Sequence, residues 1–233
     1  MNNLYKIGLI RSEFNIKFLR VNLTIFLSVL SVFCFSQNVN PISTDNKSTN
    51  LVLSYSGSII YPGARVGFEF PLTITNIATI NKSGIKKDFE KEQFITTQLS
   101  WYHHPAFHDN LYFTAGWTIR RTKSTGFFTE FSPEIGVSRT FLGGTTYKVD
   151  DNGNVTLKKY SGYFYAVASV GGGIGYDFSK TKQKPFSVFA KLNILAMFPY
   201  NSSIYLRPTL EIGLIYKPAN FLPFNINSKH RTK

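Results

Sequence analysis

Three histidines and an aspartate lie within seven positions of one another: His103, His104, His108 and Asp109. An imidazole that is oriented by a carboxylate can take the proton of a nearby hydroxyl, which is the chemistry of acyl transfer. The hydroxyl would have to come from a distant part of the chain, because no local motif joins a serine to this cluster. Histidines also gather with aromatic residues at surface rims that have no catalytic role. The sequence leaves both interpretations open.

A second group of residues resembles a metal-binding loop. Asp150-Asp151-Asn152-Gly153-Asn154 combines carboxylates, amides and a glycine, but it lacks the alternating carboxylates and the distal glutamate of an EF-hand. The Asn152-Gly153 pair lies between two short alternating stretches, which favours a hairpin turn at the tip of an extended ribbon. The single cysteine, Cys34, lies in an apolar N-terminal stretch. We therefore expect no metal, no cofactor and no disulfide in the mature protein.

Eight segments alternate between apolar and small polar residues with a period of two, which predicts half-buried β-strands. The last segment shows the pattern most clearly, since Ile204, Leu206, Leu210 and Ile212 alternate with polar residues or glycine. The segments are approximately 51–61, 64–72, 93–103, 110–121, 126–142, 160–178, 186–198 and 203–216.

The two faces of these segments are unlike those of a soluble β-sandwich. A solvated face would be rich in Lys and Glu, but here it carries Ser, Thr, Gly and Tyr with isolated charges. The apolar face is too aromatic and too continuous to share one sandwich core. The segments are long enough to cross a bilayer, where an open sheet edge is not tolerated. The sequence therefore predicts an all-β fold, a closed antiparallel transmembrane β-barrel of about eight strands, with ten strands as the alternative.

The isolated charges share the inward face of this barrel. Unpaired charges in a confined interior are costly, so we expect them to form ion pairs between strands. With the five predicted inward tyrosines, they would fill an interior that is narrow at eight strands. The tyrosines are Tyr102, Tyr112, Tyr163, Tyr165 and Tyr205. The predicted charge network comprises Arg65, Glu69, Arg120, Glu130, Glu134, Asp177, Lys191, Arg207 and Glu211.

The N-terminus has the features of a secretory signal peptide. Four basic residues between Lys6 and Arg20 precede the apolar stretch Val21–Phe35, which is short for a membrane-spanning anchor helix. Cleavage after residue 37 would leave 22 basic and 12 acidic residues, a formal charge of +10. Such a charge favours anionic partners, but the chain has no nucleic-acid-binding motif and the signal directs it away from nucleic acid.

The predicted organisation has four parts. They are a signal peptide (1–37), a short polar segment (38–50), the barrel (51–216) and a basic tail (217–233). With both barrel ends in the periplasm, the long connection 143–159 faces outside. The basic residues of the other connections either lie in solvated turns or contact lipid phosphates. The long connection 73–91 argues against this orientation, because periplasmic turns are usually short.

The chain resembles the small eight-stranded outer-membrane β-barrel proteins, and in particular those of Bacteroidetes-type bacteria, over nearly all of its mature length. The resemblance is carried by Tyr61–Gly67, Trp101–His104 and Arg139–Tyr147. Glu211, Gly213 and Tyr216 look like the last-strand signal that the barrel-insertion machinery reads, although here a tail follows it.

The resemblance implies a Gram-negative outer-membrane location among outer-membrane lipids, and a structural or loop-mediated binding role without catalysis. The alternative is an outer-membrane acyl hydrolase or acyltransferase that modifies lipid A. It would use the region of His103, His104 and His108, since lipid A-modifying barrels place a histidine near a serine and an acid at the outer rim. A diffusion pore is disfavoured, because side chains fill the interior of an eight-stranded barrel.

Overall fold

Long antiparallel strands form a closed ring in the computed structural model, which describes residues 46–58, 61–80, 86–105, 107–200 and 203–232. In chain order the elements are β1 (Asn46–Ser48), β2 (Asn50–Gly57), β3 (Gly63–Ile80), β4 (Lys86–His104), β5 (His108–Lys123), β6 (Phe127–Leu142), β7 (Tyr147–Val149), β8 (Val155–Leu157), β9 (Phe164–Asp177), α1 (Phe178–Lys182), β10 (Phe186–Tyr200), β11 (Ser203–Tyr216), β12 (Pro223–Asn225) and β13 (Asn227–Thr232). The predicted signal peptide lies outside the described residues. Within the described ranges, no helix has the length and apolar character needed to cross a membrane.

The ring closes through β2. Its Ser54 is paired with Arg65 of β3 on one side and with Gly213 of β11 on the other. Around the ring the order is β2, β3, β4, β5, β6, β9, β10 and β11, with every neighbouring pair antiparallel. This confirms the predicted fold class, and the ring formed by the described residues has eight strands rather than ten.

The two faces of the ring differ as the alternation predicts. Ile135 and Leu192 point outward and are 71% and 69% exposed, whereas Arg120 and Glu211 point inward and are 1% and 0% exposed. A water-soluble protein buries its apolar side chains and exposes its charges. Most of the wall of this barrel has the reverse arrangement.

Two tyrosines depart from the predicted alternation. Tyr61, expected on the outward face, packs against the interior cluster around Tyr102. Tyr163, expected in the interior, is 61% exposed. Both residues lie just outside the ends of strands, before β3 and β9 respectively. Alternation determines the direction of a side chain only within paired strands, so it does not apply at these two positions.

The predicted connection 73–91 is largely strand. β3 continues to Ile80 and β4 begins at Lys86, and the two remain paired throughout, with a register shift between Pro71 and Thr73. The β-branched residues that follow Pro71 favour this extended conformation. We call the end of the ring where β2 begins and β11 ends the proximal end. The β3–β4 hairpin extends past Asn50, the first residue of β2, at this end.

The residues after β11 fold back onto the proximal end. β12 pairs with β1, and β13 runs parallel to β3 along the segment that β2 does not reach. The backbone amide of Thr49 donates to the carbonyl of Phe221, 2.9 Å away. The hydroxyls of Ser48 and Thr49 donate to the carbonyls of Ala219 and Leu222. The predicted tail thus contains two strands that hold the start of the barrel.

The opposite end, which we call distal, carries the connection between β6 and β9. Here β7 and β8 pair as an antiparallel ribbon, which confirms the predicted hairpin. Asp150 accepts hydrogen bonds from the backbone amides of Asn152 and Asn154 and from the Asn154 side chain. Gly153 has a φ of +81°, a conformation that glycine adopts without strain.

Candidate functional site

The interior of the barrel is occupied by charged side chains, and Arg65 holds a central place among them. Its Nη1 donates to Glu211 at 2.8 Å and its Nη2 donates to Glu134 at 2.6 Å. Its Nε donates to the hydroxyl of Ser100 at 2.9 Å. Arg65 lies on β3, Glu134 on β6 and Glu211 on β11, so one guanidinium links three strands that are not neighbours in the ring.

Arg120 forms a second centre, closer to the proximal end. It donates to both carboxylate oxygens of Glu69, at 2.6 and 3.0 Å, and to Glu130 at 2.8 Å. Its guanidinium also lies over the rings of Phe94 and Phe128, 5.0 and 4.9 Å from their centroids. Opposite charges and aromatic faces thus surround this buried cation on several sides.

Lys191 joins the two centres. Its Nζ lies 3.4 Å from Glu211, which Arg65 binds, and 3.9 Å from Glu130, which Arg120 binds. Neutral donors complete the carboxylates: Ser54 and Asn193 donate to Glu211, and Asn50 donates to Glu69. The structure therefore brings together seven of the nine residues proposed as a lumen charge network. These are Arg65, Glu69, Arg120, Glu130, Glu134, Lys191 and Glu211.

Asp177, the eighth residue, lies apart from this network at the proximal end. It caps α1 by accepting from the backbone amide and the hydroxyl of Ser179. It also accepts from Ser187, and its ion-pair partner is Lys217, directly after β11. Asp177 therefore fixes the end of β11 rather than the centre of the lumen.

Arg207, the ninth residue, has an aromatic partner where the sequence predicts a carboxylate. Its guanidinium carbon lies 3.5 Å from the centroid of the Tyr102 ring and 5.5 Å from that of Tyr61. Arg207 is 2% exposed, and its Nε and Nη1 have no hydrogen-bond partner among the residues that the structure describes. The carboxylates of Glu134 and Glu211 are bound by Arg65, and Glu211 also lies 3.4 Å from Lys191.

The four residues of the histidine cluster are divided between the two faces of the β4–β5 hairpin. His103 and Asp109 are paired across the strands, and the His103 Nδ1 lies 2.8 Å from an Asp109 oxygen. Both are well exposed on the face that Trp101 also shares. His104 and His108 lie on the other face, with ring centroids 5.0 Å apart, and His108 contacts the edge of Tyr102.

Within the described ranges, the histidine–aspartate pair has no partner that could act as the nucleophile of a hydrolytic site. Among the described residues, no serine or threonine hydroxyl is hydrogen-bonded to any of the three histidines. No group of three potential metal ligands forms within the same residues. The geometry thus gives a carboxylate-oriented imidazole at the distal rim, to which no hydroxyl of the described residues is hydrogen-bonded.

Two groups of contacting side chains were not predicted from the sequence. The first is an apolar layer, in which Val52, Phe128, Phe189 and Ile215 pack together inside the ring. The doublet Phe127-Phe128 carries a detectable signal for it, because two adjacent aromatic residues in a strand must face opposite sides. The guanidinium of Arg120 lies over the Phe128 ring, so the charge network is in contact with this layer.

The second is a cluster of charges at the proximal end, which we call the proximal clasp: Lys47, Glu90, Glu92 and Lys180. Lys47 donates to Glu92 at 2.6 Å and to Glu90 at 3.2 Å, and Lys180 binds Glu90. Burial alone would lower the pKa of Lys47, but attraction to Glu92 and Glu90 outweighs it and raises the pKa above its ordinary value. The clasp joins β1 to the extension of β4.

The three residues proposed as an insertion signal lie on β11, and packing explains one of them. A Cβ atom at Gly213 would meet the carbonyl of Leu53 and the side chain of Ser54 at 2.5 Å. Gly213 therefore lets β2 approach β11 where the ring closes. Glu211 is fully buried in the charge network, and Tyr216 is the last residue of β11.

Comparisons with known proteins give one structural likeness. No protein-family model matches the chain, and no curated protein matches it. The chain is similar to the crystal structure of neisserial surface protein A (NspA), with 10% sequence identity and a TM-score of 0.38. The match covers 77% of this chain and all of that chain.

Proposed function

We propose that this chain is an integral outer-membrane β-barrel protein with a side-chain-filled lumen and a structural or loop-mediated binding role. The observation that carries the proposal is the inverted distribution of side chains. An apolar outer wall such as that formed by Ile135, Leu192 and Phe164 surrounds buried ion pairs. In water such a wall would aggregate, whereas in lipid it is the stable arrangement.

The outer membrane is the compartment that fits a closed barrel preceded by a signal peptide. The sequence of residues 1–37 supports export, and the closed ring of eight strands meets the demand of lipid that no sheet edge stay unpaired. Outer-membrane lipids are then the partners of the apolar wall. We further propose that Glu211, Gly213 and Tyr216 contact the barrel-insertion machinery during assembly.

The plugged interior directs the function to the ends of the barrel. Arg65, Arg120 and Lys191 are each at least 96% buried and bound to carboxylates on other strands. Such a network stiffens the wall, while the ribbon of β7 and β8 projects from the distal end. A binding role therefore belongs to the distal connections.

The test is membrane fractionation combined with gel mobility. The mature protein should fractionate with the outer membrane and migrate faster on a gel before boiling than after it. Leu192→Arg, near the middle of the wall, should destabilise the barrel by about 2–4 kcal/mol and weaken this heat shift. Tyr160→Arg, in the exposed distal connection, is the matched control and should leave the shift unchanged. A soluble protein with no heat shift would refute the proposal.

A further inference from the structure

Arg207 differs from the other buried cations of the barrel in its surroundings. Arg65, Arg120 and Lys191 each have two carboxylate partners. Arg207 is equally buried, yet two of its nitrogen atoms have no hydrogen-bond partner among the described residues. A buried cation without a carboxylate partner lowers the stability of the folded protein. A position that nevertheless holds such a cation therefore suggests a functional role.

Arg207 lies near the distal mouth. It is the fifth residue of β11, which begins at the distal end. Its cross-strand partner is Leu195 of β10. Its guanidinium rests on Tyr102, which itself pairs with Gly63 at the distal start of β3. The charge network of Arg65 lies further toward the proximal end, since Glu211 is four residues beyond Arg207 on β11.

Aromatic side chains with polar groups surround this mouth. Tyr61 stacks on His104 with a centroid distance of 4.2 Å, and Tyr205 packs against the cluster that contains Tyr102. Tyr205 also stacks on Tyr200 at 4.9 Å. Tyrosine and histidine rings offer flat apolar faces together with hydrogen-bonding edges, which suits a ligand that has a ring and polar substituents.

We propose that the distal mouth binds a small organic anion, whose ring packs on the tyrosines and whose carboxylate or phosphate oxygens accept from Arg207. Tyr61 is half-buried at the edge of the mouth, and its side chain lies over the guanidinium. Displacement of Tyr61 would admit the anion to the unpaired Nε and Nη1 donors. The ligand then supplies the negative charge that the described residues do not place beside Arg207.

This inference deepens the binding role proposed above, and the experiment separates the two. Protein refolded in detergent is first checked for the heat shift, which reports the barrel. Calorimetry then measures binding of benzoate and phenyl phosphate, which distinguish a carboxylate from a phosphate ligand, with neutral benzamide as the matched probe. We expect at least one anion to bind and benzamide to bind at least about tenfold more weakly.

The decisive variant is Arg207→Gln. It should lower the affinity for the anion about tenfold or more while retaining the heat shift and the urea midpoint, because it removes an unpaired charge. Arg65→Gln should instead lower the urea midpoint. Arg139→Gln, which alters an arginine stacked on the outward Phe164, should leave binding unchanged. The inference is overturned if heat-shifted wild-type protein binds neither anion, or if Arg207→Gln binds as tightly as wild type.

Discussion

The guanidinium of Arg65 binds Glu134 and Glu211 at 2.6 and 2.8 Å, and these two carboxylates belong to strands on different sides of Arg65 in the ring. Because the backbone ladder joins only neighbouring strands, this side chain adds links that cross the lumen. Each of the three residues is nearly or fully buried. Loss of one partner would therefore leave charges that water cannot solvate.

We predict that Arg65→Met lowers the free energy of unfolding by about 3–5 kcal/mol, because it leaves Glu134 and Glu211 without their shared cation. Urea unfolding of protein refolded in micelles measures the change. Arg139→Met is the matched control, since Arg139 faces outward and stacks on Phe164. Equal midpoints for Arg65→Met and wild type would show that the network contributes little to stability.

Much of the barrel could be predicted from the sequence, because side chains along a strand point alternately to its two faces. That period correctly assigns Arg65 and Glu134 to the interior and Ile135 to the outer wall. It does not choose partners, because the position of a side chain along the lumen depends on the register of strands that are distant in sequence. Arg207 shows this limit, since it shares the inward face with Glu211 but lies over Tyr102.

The proximal end could not be predicted for a different reason. The contact of Lys47 with Glu92 requires the extension of β4 and the pairing of β1 with β12, and neither leaves a strong pattern in the sequence. Residues 217–233 are short, basic and interrupted by two prolines, which is typical of an unstructured tail. β13 forms on the edge that β3 offers beyond Asn50, and β12 pairs with β1, so the context supplied by the barrel determines both strands.

The turn of the distal ribbon should depend on pH in a predictable direction. Hydrogen bonds from the Asn154 side chain and from the backbone amides of Asn154 and Asn152 lower the pKa of Asp150 below its ordinary value. Since these bonds favour the carboxylate, their stabilisation of the turn is present above the unfolded pKa of about 3.9. It is lost as the pH falls through the lower folded pKa.

Amide resonances of Asn152 and Asn154, followed by NMR in micelles, should therefore titrate with a midpoint below about 3.9. Asp150→Ala should abolish this titration and leave the heat shift of the barrel intact, because the ribbon lies outside the ring. A midpoint at or above the ordinary value for aspartate would mean that the turn does not favour the charged form.

From the geometry of the histidine cluster, we predict that the protein does not alter the chemical structure of lipid A. His103 is oriented by Asp109, but among the described residues no hydroxyl is hydrogen-bonded to either of its ring nitrogens. General-base catalysis of acyl transfer requires such a hydroxyl within reach of the imidazole. Lipid A from cells that produce the protein should have the same mass spectrum as lipid A from cells that lack it. A mass shift that disappears in His103→Gln would instead establish the acyl-transfer alternative.

The final prediction concerns conduction through the barrel. At eight strands the interior is about wide enough for its own side chains. Here Phe128 and Phe189 belong to an apolar layer, and the ion pairs of Arg120 and Arg65 form a second, charged layer inside the ring. A hydrated ion would have to cross both layers, and displacing the ion pairs would expose several buried charges at once. We therefore expect no conducting path along the axis.

Single-channel recording in planar bilayers tests this expectation with purified, refolded protein that shows the heat shift. Wild type should give no stable conductance steps, and neither should Arg139→Ser, because Arg139 lies on the outer wall and contributes nothing to the plug. A sixteen-stranded porin in the same bilayer, whose lumen is an aqueous channel, confirms that insertion and conduction are detectable. If wild-type protein gave reproducible steps, the ion pairs of Arg65 and Arg120 would have to open within the membrane. Arg65→Ser should then increase the conductance, and the structural role would give way to transport.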